Sequence, residues 1–196
     1  EPSPVGVLCD LFSETEELSS DKNCMQRQTI IRRLRAKGAQ IKPFPKELCG
    51  GGTKNCFQHG KLIIADRKKA LVSTGNFNSS SLCNPAAKPS TCNRDFSVVS
   101  SNPTAVRALS RVFVRDFNAA AFNFATYINQ DERKLVTISP YAQPDIIEFV
   151  NSAKHSITVQ AQYLKEPVLN AALLDAALRG VKVKLTIASM CSFARP

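Results

Sequence analysis

Apolar residues recur along this chain in two rhythms, and their alternation predicts an α/β protein. Val5-Gly6-Val7-Leu8-Cys9 is an apolar run of strand length that ends at Asp10. Residues 13–23 are polar and read as partly helical, partly loop. Ile30, Ile31 and Leu34, set among Arg32, Arg33 and Arg35, have helical spacing, and Gly38 stops that helix. Residues 40–44 read as a strand or edge strand weakened by Pro43 and Pro45. After a loop over 45–57, residues 61–65 are predicted as a strand, 66–69 as a charged turn and 70–74 as the returning strand of a hairpin. A further strand is expected over 95–100, then a helix over 104–117 started by Asn102-Pro103. Residues 118–134 look like a connector. The rhythm then restarts with a strand at 135–139, a helix at 144–152 and a strand at 156–163. A helix at 168–178, closed by Arg179-Gly180, and a strand at 181–187 complete it. Strands alternating with helices of this length predict a mixed β-sheet flanked by helices. The last strand resembles residues 5–9, as in two tandem copies of one unit, each cut.

Charge narrows the partners. The chain carries 26 basic and 16 acidic residues, a net charge of +10. That excess favours nucleic acid, an acidic membrane surface or a phosphorylated small molecule. No apolar stretch approaches the roughly 18 residues of a bilayer span. Seven cysteines are many for a cytosolic chain of 196 residues, which points to an extracytoplasmic setting: secreted, periplasmic or lumenal. Cys49 and Cys56 bracket a Gly-rich loop before His59, and Cys83 and Cys92 bracket a Pro-containing loop. Both loops suit disulfide staples, although sequence does not fix the pairing and free buried thiols are the alternative. A zinc site on Cys49, Cys56 and His59 lacks the usual Cys-x-x-Cys spacing, so no metal is expected.

The candidate chemistry begins at His59. Lys61 lies two positions on at the mouth of a predicted strand, so both side chains point to one face. An imidazole there can attack phosphorus while the ammonium neutralises a non-bridging oxygen, with no cofactor. Thr74-Gly75-Asn76-Phe77-Asn78 offers a glycine where backbone could approach phosphate, and amide donors in Asn76 and Asn78. Asn93-Arg94-Asp95 brings a carboxylate that could accept from an imidazole Nδ1–H and fix its tautomer.

His59-Gly60-Lys61 through Asp66, then residues 74–78, then Asn93-Arg94-Asp95-Phe96-Ser97, resemble the phospholipase D superfamily. The flanks, residues 34–41 and 140–187, are similar to the family's steps before and after this motif, so the resemblance spans nearly the whole chain. It implies a phospholipase D-like fold and a phosphodiesterase working through a phosphohistidine on phospholipid head groups, by hydrolysis or transfer. A metal-independent nuclease of the same superfamily and a non-catalytic module binding anionic lipid or nucleic acid are the alternatives. By position, His59 would be nucleophile or acid, Lys61, Asn76 and Asn78 would bind phosphate, and Asp95 would orient His59. Asp66 belongs to the motif and would close the hairpin turn. Asn76 stands where the family often has Ser, and Asp95 where Glu is also common.

Family enzymes join two such motifs, and one is present here. The resemblance therefore implies residues 1–132 as the C-terminal part of one repeat and 133–196 as the N-terminal part of a second. The second motif would come from further sequence or from another copy of the chain, with a permuted single domain as the alternative. Peripheral membrane contact is a further implied partner. His155 has no Lys two positions on and reads as a helix-end residue. Phe113, Phe117, Phe122 and Phe124 read as packing rather than base stacking. Arg32, Arg33 and Arg35 read as a solvated helix face. Asn78-Ser79-Ser80 matches a glycosylation pattern but overlaps the phosphate-binding candidates.

Overall fold

A computed structural model describes residues 22–44, 58–84, 86, 88, 92–120, 128–139 and 142–188. The chain parts into two units, residues 1–60 with 112–121, and residues 61–111 with 122–196. The expected strand at residues 5–9, and Cys9, Cys49, Cys56, Cys191, Phe122 and Phe124, lie outside the described residues.

In the first unit, α1 runs Lys22–Ala36, starting well before the apolar spacing predicts. Its opening turns are polar, but Met, Gln and Arg are good helix formers and need no apolar stripe. Cys24 and Gln28, one turn apart, are its buried residues. Arg33 and Arg35 are exposed in the last turn, where cations suit the helix dipole, while Arg32 is partly buried. Gly38 ends the helix with φ +86°, its N–H donating to Arg35 O at 2.9 Å and that of Ala39 to Leu34 O at 3.0 Å. This double bond with a left-handed glycine is the stop the sequence predicts. Residues 39–44 are irregular, not the expected edge strand, because Pro43 cannot donate to a ladder. Phe117 stacks on Phe113 at 5.7 Å between ring centroids, and Lys42 Nζ lies 4.5 Å over the Phe117 ring.

In the second unit, β1 (Lys61–Ala65), β2 (Lys69–Ser73) and β3 (Ser97–Ser100) form an antiparallel sheet in that order. Asp66 and Arg67 turn the β1–β2 hairpin with φ of +53° and +54°, and Lys68 N–H donates to Ala65 O at 2.9 Å. Helix α2 (Pro103–Phe117) passes from the second unit into the first. Asn102 caps it, its Oδ1 accepting from the N–H groups of Thr104 and Ala105. Ala70, Val106 and Leu109 form a core against which Leu62, Ile64 and Val136 pack. Leu62, Ile64 and Ala70 share one sheet face by strand alternation, so Lys61 and Ile63 share the other.

A second core joins Val150, Ala172 and Leu173 to Ile157, Val159 and Val183. It is built from α4 (Gln143–Ser152), β4 (Ser156–Ala161), α5 (Pro167–Leu178) and β5 (Lys182–Ile187), with β4 and β5 parallel. Gly180, at φ +87°, closes α5 as Gly38 closes α1. The described strands thus fall into two sheets, one antiparallel and one parallel, rather than a single mixed sheet. The broader α/β expectation holds. The strand expected at 135–139 does not form. The N–H groups of Leu135 and Val136 both donate to Glu132 O, at 2.9 and 2.8 Å, and are spent on a helix end.

That helix end lies in the supposed connector. Asn129 and Glu132 form a reciprocal capping box on α3 (Gln130–Arg133), and Glu132 is buried with an ion pair to Arg111. The Arg111 hydrogen bond is the main cause holding the Glu132 carboxyl below its ordinary 4.5, against the opposing effect of burial. A lowered folded-state value stabilises above the unfolded one, and that contribution is lost as pH falls through the folded value. Glu132→Gln is expected to cost about 2 kcal/mol at neutral pH. Denaturant titration should show the gap from wild type closing below pH 4.5.

Candidate active site

Lys61 opens β1 and is 8% exposed, rare for a lysine unless its surroundings demand it. It pairs across the sheet with Ser73, which pairs with Ser97. These three residues form one row on the face turned away from the Val106–Leu109 core. Ser97 Oγ donates to Ser73 Oγ at 2.9 Å, and Ser73 Oγ accepts the Gly75 N–H at 3.1 Å.

Beyond that row the strands stay joined through Thr74 and Phe96. Thr74 N–H donates to Phe96 O at 2.9 Å, and Phe96 N–H donates to Thr74 Oγ1 at 2.9 Å. Thr74 Oγ1 in turn donates to Asp95 Oδ1 at 3.0 Å. The other oxygen, Asp95 Oδ2, is buried and has no hydrogen-bond partner among the described residues. Gly75 lies directly against it. A Cβ on Gly75 would stand 2.6 Å from Oδ2, 2.7 Å from Cγ and 2.9 Å from the Asp95 Cβ. The glycine therefore makes room for a carboxylate of this chain, where the sequence alone pointed to close approach of a phosphate. Asp95 also lines an open depression of about 310 Å³ with Cys92, Asn93 and Arg94.

Asn76 and Asn78 are exposed just after Gly75. Asn78 Oδ1 accepts from Ser80 Oγ at 3.0 Å and Ser81 N–H at 3.1 Å, a local turn that leaves the amide NH₂ as its donor end. Asn93 fastens the far side of the loop, donating through its backbone to Ser80 O at 2.8 Å and through its side chain to Ser80 and Ser81. Cys83 and Cys92 are disulfide-bonded, closing this loop between Asn78 and Asp95, and Cys24 is also disulfide-bonded. A disulfide is compatible with an extracytoplasmic location. Among the described residues no helix is long and apolar enough to cross a membrane. Replacing Cys83 and Cys92 together with serine is expected to cost about 2–3 kcal/mol by the closed-loop argument. Thermal melting of both forms, with alkylation mass measurement before and after reduction, checks this.

Asp66 sits at the hairpin tip, at the opposite end of β1 from Lys61, exposed and with positive φ. A five-residue strand separates the two by roughly 13–17 Å. Its position is that of a turn residue, where the sequence reading expects it to close the hairpin. His59 is exposed and falls in the first unit, whereas Lys61, Asn76, Asn78 and Asp95 fall in the second. Gln58 fixes the stretch that carries His59. Its Oε1 accepts the Gly60 N–H at 2.7 Å, and its Nε2 donates to Asp116 Oδ2 at 3.2 Å. Burial pushes the Asp116 carboxyl above its ordinary value, with the Gln58 bond pulling the other way. His155 is exposed, and its carbonyl accepts the Lys182 N–H at 3.0 Å.

No protein-family model, curated protein or solved structure matches the chain. The functional reading therefore rests on the residues themselves. Among them, Ser73, Thr74, Ser97 and Gln58 were missed as site components. The only sequence signal for the first two was their place beside Gly75. Ser97 and Gln58 become visible only through pairings far apart along the chain, Gln58 with Asp116 being 58 positions away.

Proposed function

We propose that this chain is part of a phospholipase D-like phosphodiesterase acting on phospholipid head groups. The observation that carries the reading is the Asp95 carboxylate. One oxygen is held by Thr74 and the other is buried without a partner among the described residues, beyond a sheet row that begins at buried Lys61. A buried carboxylate oxygen of this kind is costly unless it meets a donor, and an imidazole N–H is a suitable one.

In this reading Asp95 orients the His59 imidazole, whose Nε2 attacks phosphorus. An N–P bond forms as the bond from phosphorus to the head-group oxygen breaks. The leaving oxygen takes its proton from the imidazole of a second motif, supplied by further sequence or by another copy of the chain. Water, or an acceptor alcohol, then gives its proton back to that second imidazole and attacks phosphorus, and the N–P bond breaks to release the phosphate product and free His59. Lys61, with the amides of Asn76 and Asn78, offsets the charge that grows on the non-bridging oxygens.

A single-stranded nucleic acid offers the same phosphodiester, so substrate class is decided by turnover. The expected result, for the chain assembled with a second motif, is release of the alcohol head group from phospholipid vesicles in the presence of chelator. Single-stranded DNA should be cleaved far more slowly. Preferential cleavage of DNA would transfer the reading to a nuclease. Binding of both that weakens steeply with salt, with neither turned over, would leave a non-catalytic module.

A further inference from the structure

We infer that the outward face of α1 is a docking surface for an acidic lipid membrane. The inference concerns the first unit alone and does not depend on the chemistry proposed for His59.

Helix α1 carries Lys22, Arg27, Arg32, Arg33 and Arg35 and no acidic residue, and Lys37 follows it directly. A run of cations with no acid among them attracts a polyanion instead of pairing along the helix. The nearest acid in the sequence, Asp21, stands just before the helix, at the end where the dipole favours an anion. Glu14, Glu16 and Glu17 lie further back, away from the cations of the carboxyl half.

The buried residues fix which side faces out. Cys24, which is disulfide-bonded, and Gln28 are buried, and Ile31 and Arg32 are partly buried. On the opposite side Arg27, Ile30 and Leu34 recur three and four positions apart, the spacing of neighbours on one helix face. Arg33 lies three positions beyond Ile30. Lys37 extends the face, its N–H donating to Leu34 O at 3.0 Å. All five are exposed, Ile30 at 55% and Leu34 at 48%. Two branched apolar side chains therefore stand in water between Arg27, Arg33 and Lys37.

This combination selects among polyanions. A nucleic-acid backbone meets the cations but leaves Ile30 and Leu34 wet. A lipid surface takes both: the apolar side chains enter the boundary between head groups and acyl chains, and the long Arg and Lys stems carry their charges back to phosphate level. Each cation held near an acidic surface strengthens binding about fivefold, so Arg27, Arg33 and Lys37 together supply about two orders of magnitude.

The chain contains no tryptophan, so Leu34→Trp places a single fluorescent reporter on this face. With vesicles of phosphatidylcholine and phosphatidylserine, its emission is expected to move to the blue and to be quenched by brominated acyl chains. Phosphatidylcholine alone is expected to do neither. Flotation of the full chain with the same vesicles measures affinity. Arg27→Gln, Arg33→Gln and Lys37→Gln combined are expected to weaken binding about 100-fold. The control, Lys154→Gln, Lys182→Gln and Lys184→Gln combined, removes the same charge from exposed positions of the second unit and is expected to cost less than about threefold. Ile30→Gln with Leu34→Gln, at unchanged charge, is expected to cost about tenfold. Glutamine is a good helix former, and circular dichroism checks that α1 persists in each variant.

Equal losses in the two charge variants would make the attraction a property of net charge and overturn the assignment. An unshifted tryptophan, or wild-type binding by the Ile30→Gln, Leu34→Gln variant, would overturn it by showing that no apolar entry occurs. Binding of single-stranded DNA that needs Arg27, Arg33 and Lys37, with no binding of vesicles, would give the face to nucleic acid and overturn it as well.

Discussion

His59→Ala is expected to lower head-group release by about 10³-fold or more in the assembly that holds both motifs. The physical ground is that, in the proposed reading, the His59 imidazole forms the covalent intermediate. In that reading Lys61 offsets charge, Asp95 orients the ring, and Asn76 and Asn78 bind phosphate oxygens, so His59 alone is assigned the covalent step. A thousandfold loss corresponds to about 4 kcal/mol of barrier, a reasonable share for a nucleophile and its pre-set orientation together. The control is His155→Ala, expected to leave turnover unchanged because His155 is an exposed residue outside the motif whose carbonyl accepts the Lys182 N–H. The measurement is release of labelled head group under single-turnover conditions, with trapping of the phosphohistidine in acid-free denaturant. Unchanged turnover in His59→Ala would remove this imidazole from the mechanism.

Gly75→Ala is expected to damage stability and activity together. Its added methyl would meet three atoms of Asp95 within 2.6 to 2.9 Å. Rotating the carboxylate relieves the contacts with Oδ2 and Cγ, but the Asp95 Cβ is fixed to the backbone, so the strand itself must shift. Overpacking of this kind costs about 1–3 kcal/mol. The stiffer unfolded chain that alanine brings returns only about 0.4–1 kcal/mol, so the net effect remains destabilising. Any shift also moves Asp95 Oδ2, and under the proposed role of Asp95 its displacement is expected to cost at least about tenfold in kcat. A double-mutant cycle isolates the cause. In an Asp95→Gly background, the penalty of Gly75→Ala should fall below about 0.5 kcal/mol, because all three clashing atoms are gone. An undiminished penalty would show that the methyl strikes something else.

Local patterning carried much of the secondary structure. The β1–β2 hairpin was readable from the apolar run after Lys61 and the charged turn, with its returning strand shifted by one residue. The Asn102-Pro103 start of α2 and the stops at Gly38 and Gly180 were readable because caps are made by neighbours in sequence. Helix α1 begins earlier than its apolar spacing predicts because its first turns carry no apolar stripe. The strand expected at 135–139 failed because Glu132 O takes the backbone donors that a ladder would need. The carboxylate–arginine pair of Glu132 and Arg111 was invisible for a related reason, since its partners are 21 positions apart.

For the candidate site the division is sharper. Residue order alone was enough to nominate His59, Lys61, Asn76, Asn78 and Asp95, because the chemistry of phosphoryl transfer needs those groups and the motif spacing displays them. Folding was needed to show that Gly75 makes room for Asp95 and that Thr74 holds one carboxylate oxygen. Thr74 and Asp95 are 21 positions apart and meet only because β2 and β3 pair in one register, with Thr74 and Phe96 continuing the ladder. Register is a property of packed apolar faces, summed over the whole sheet, and no local stretch of residues encodes it.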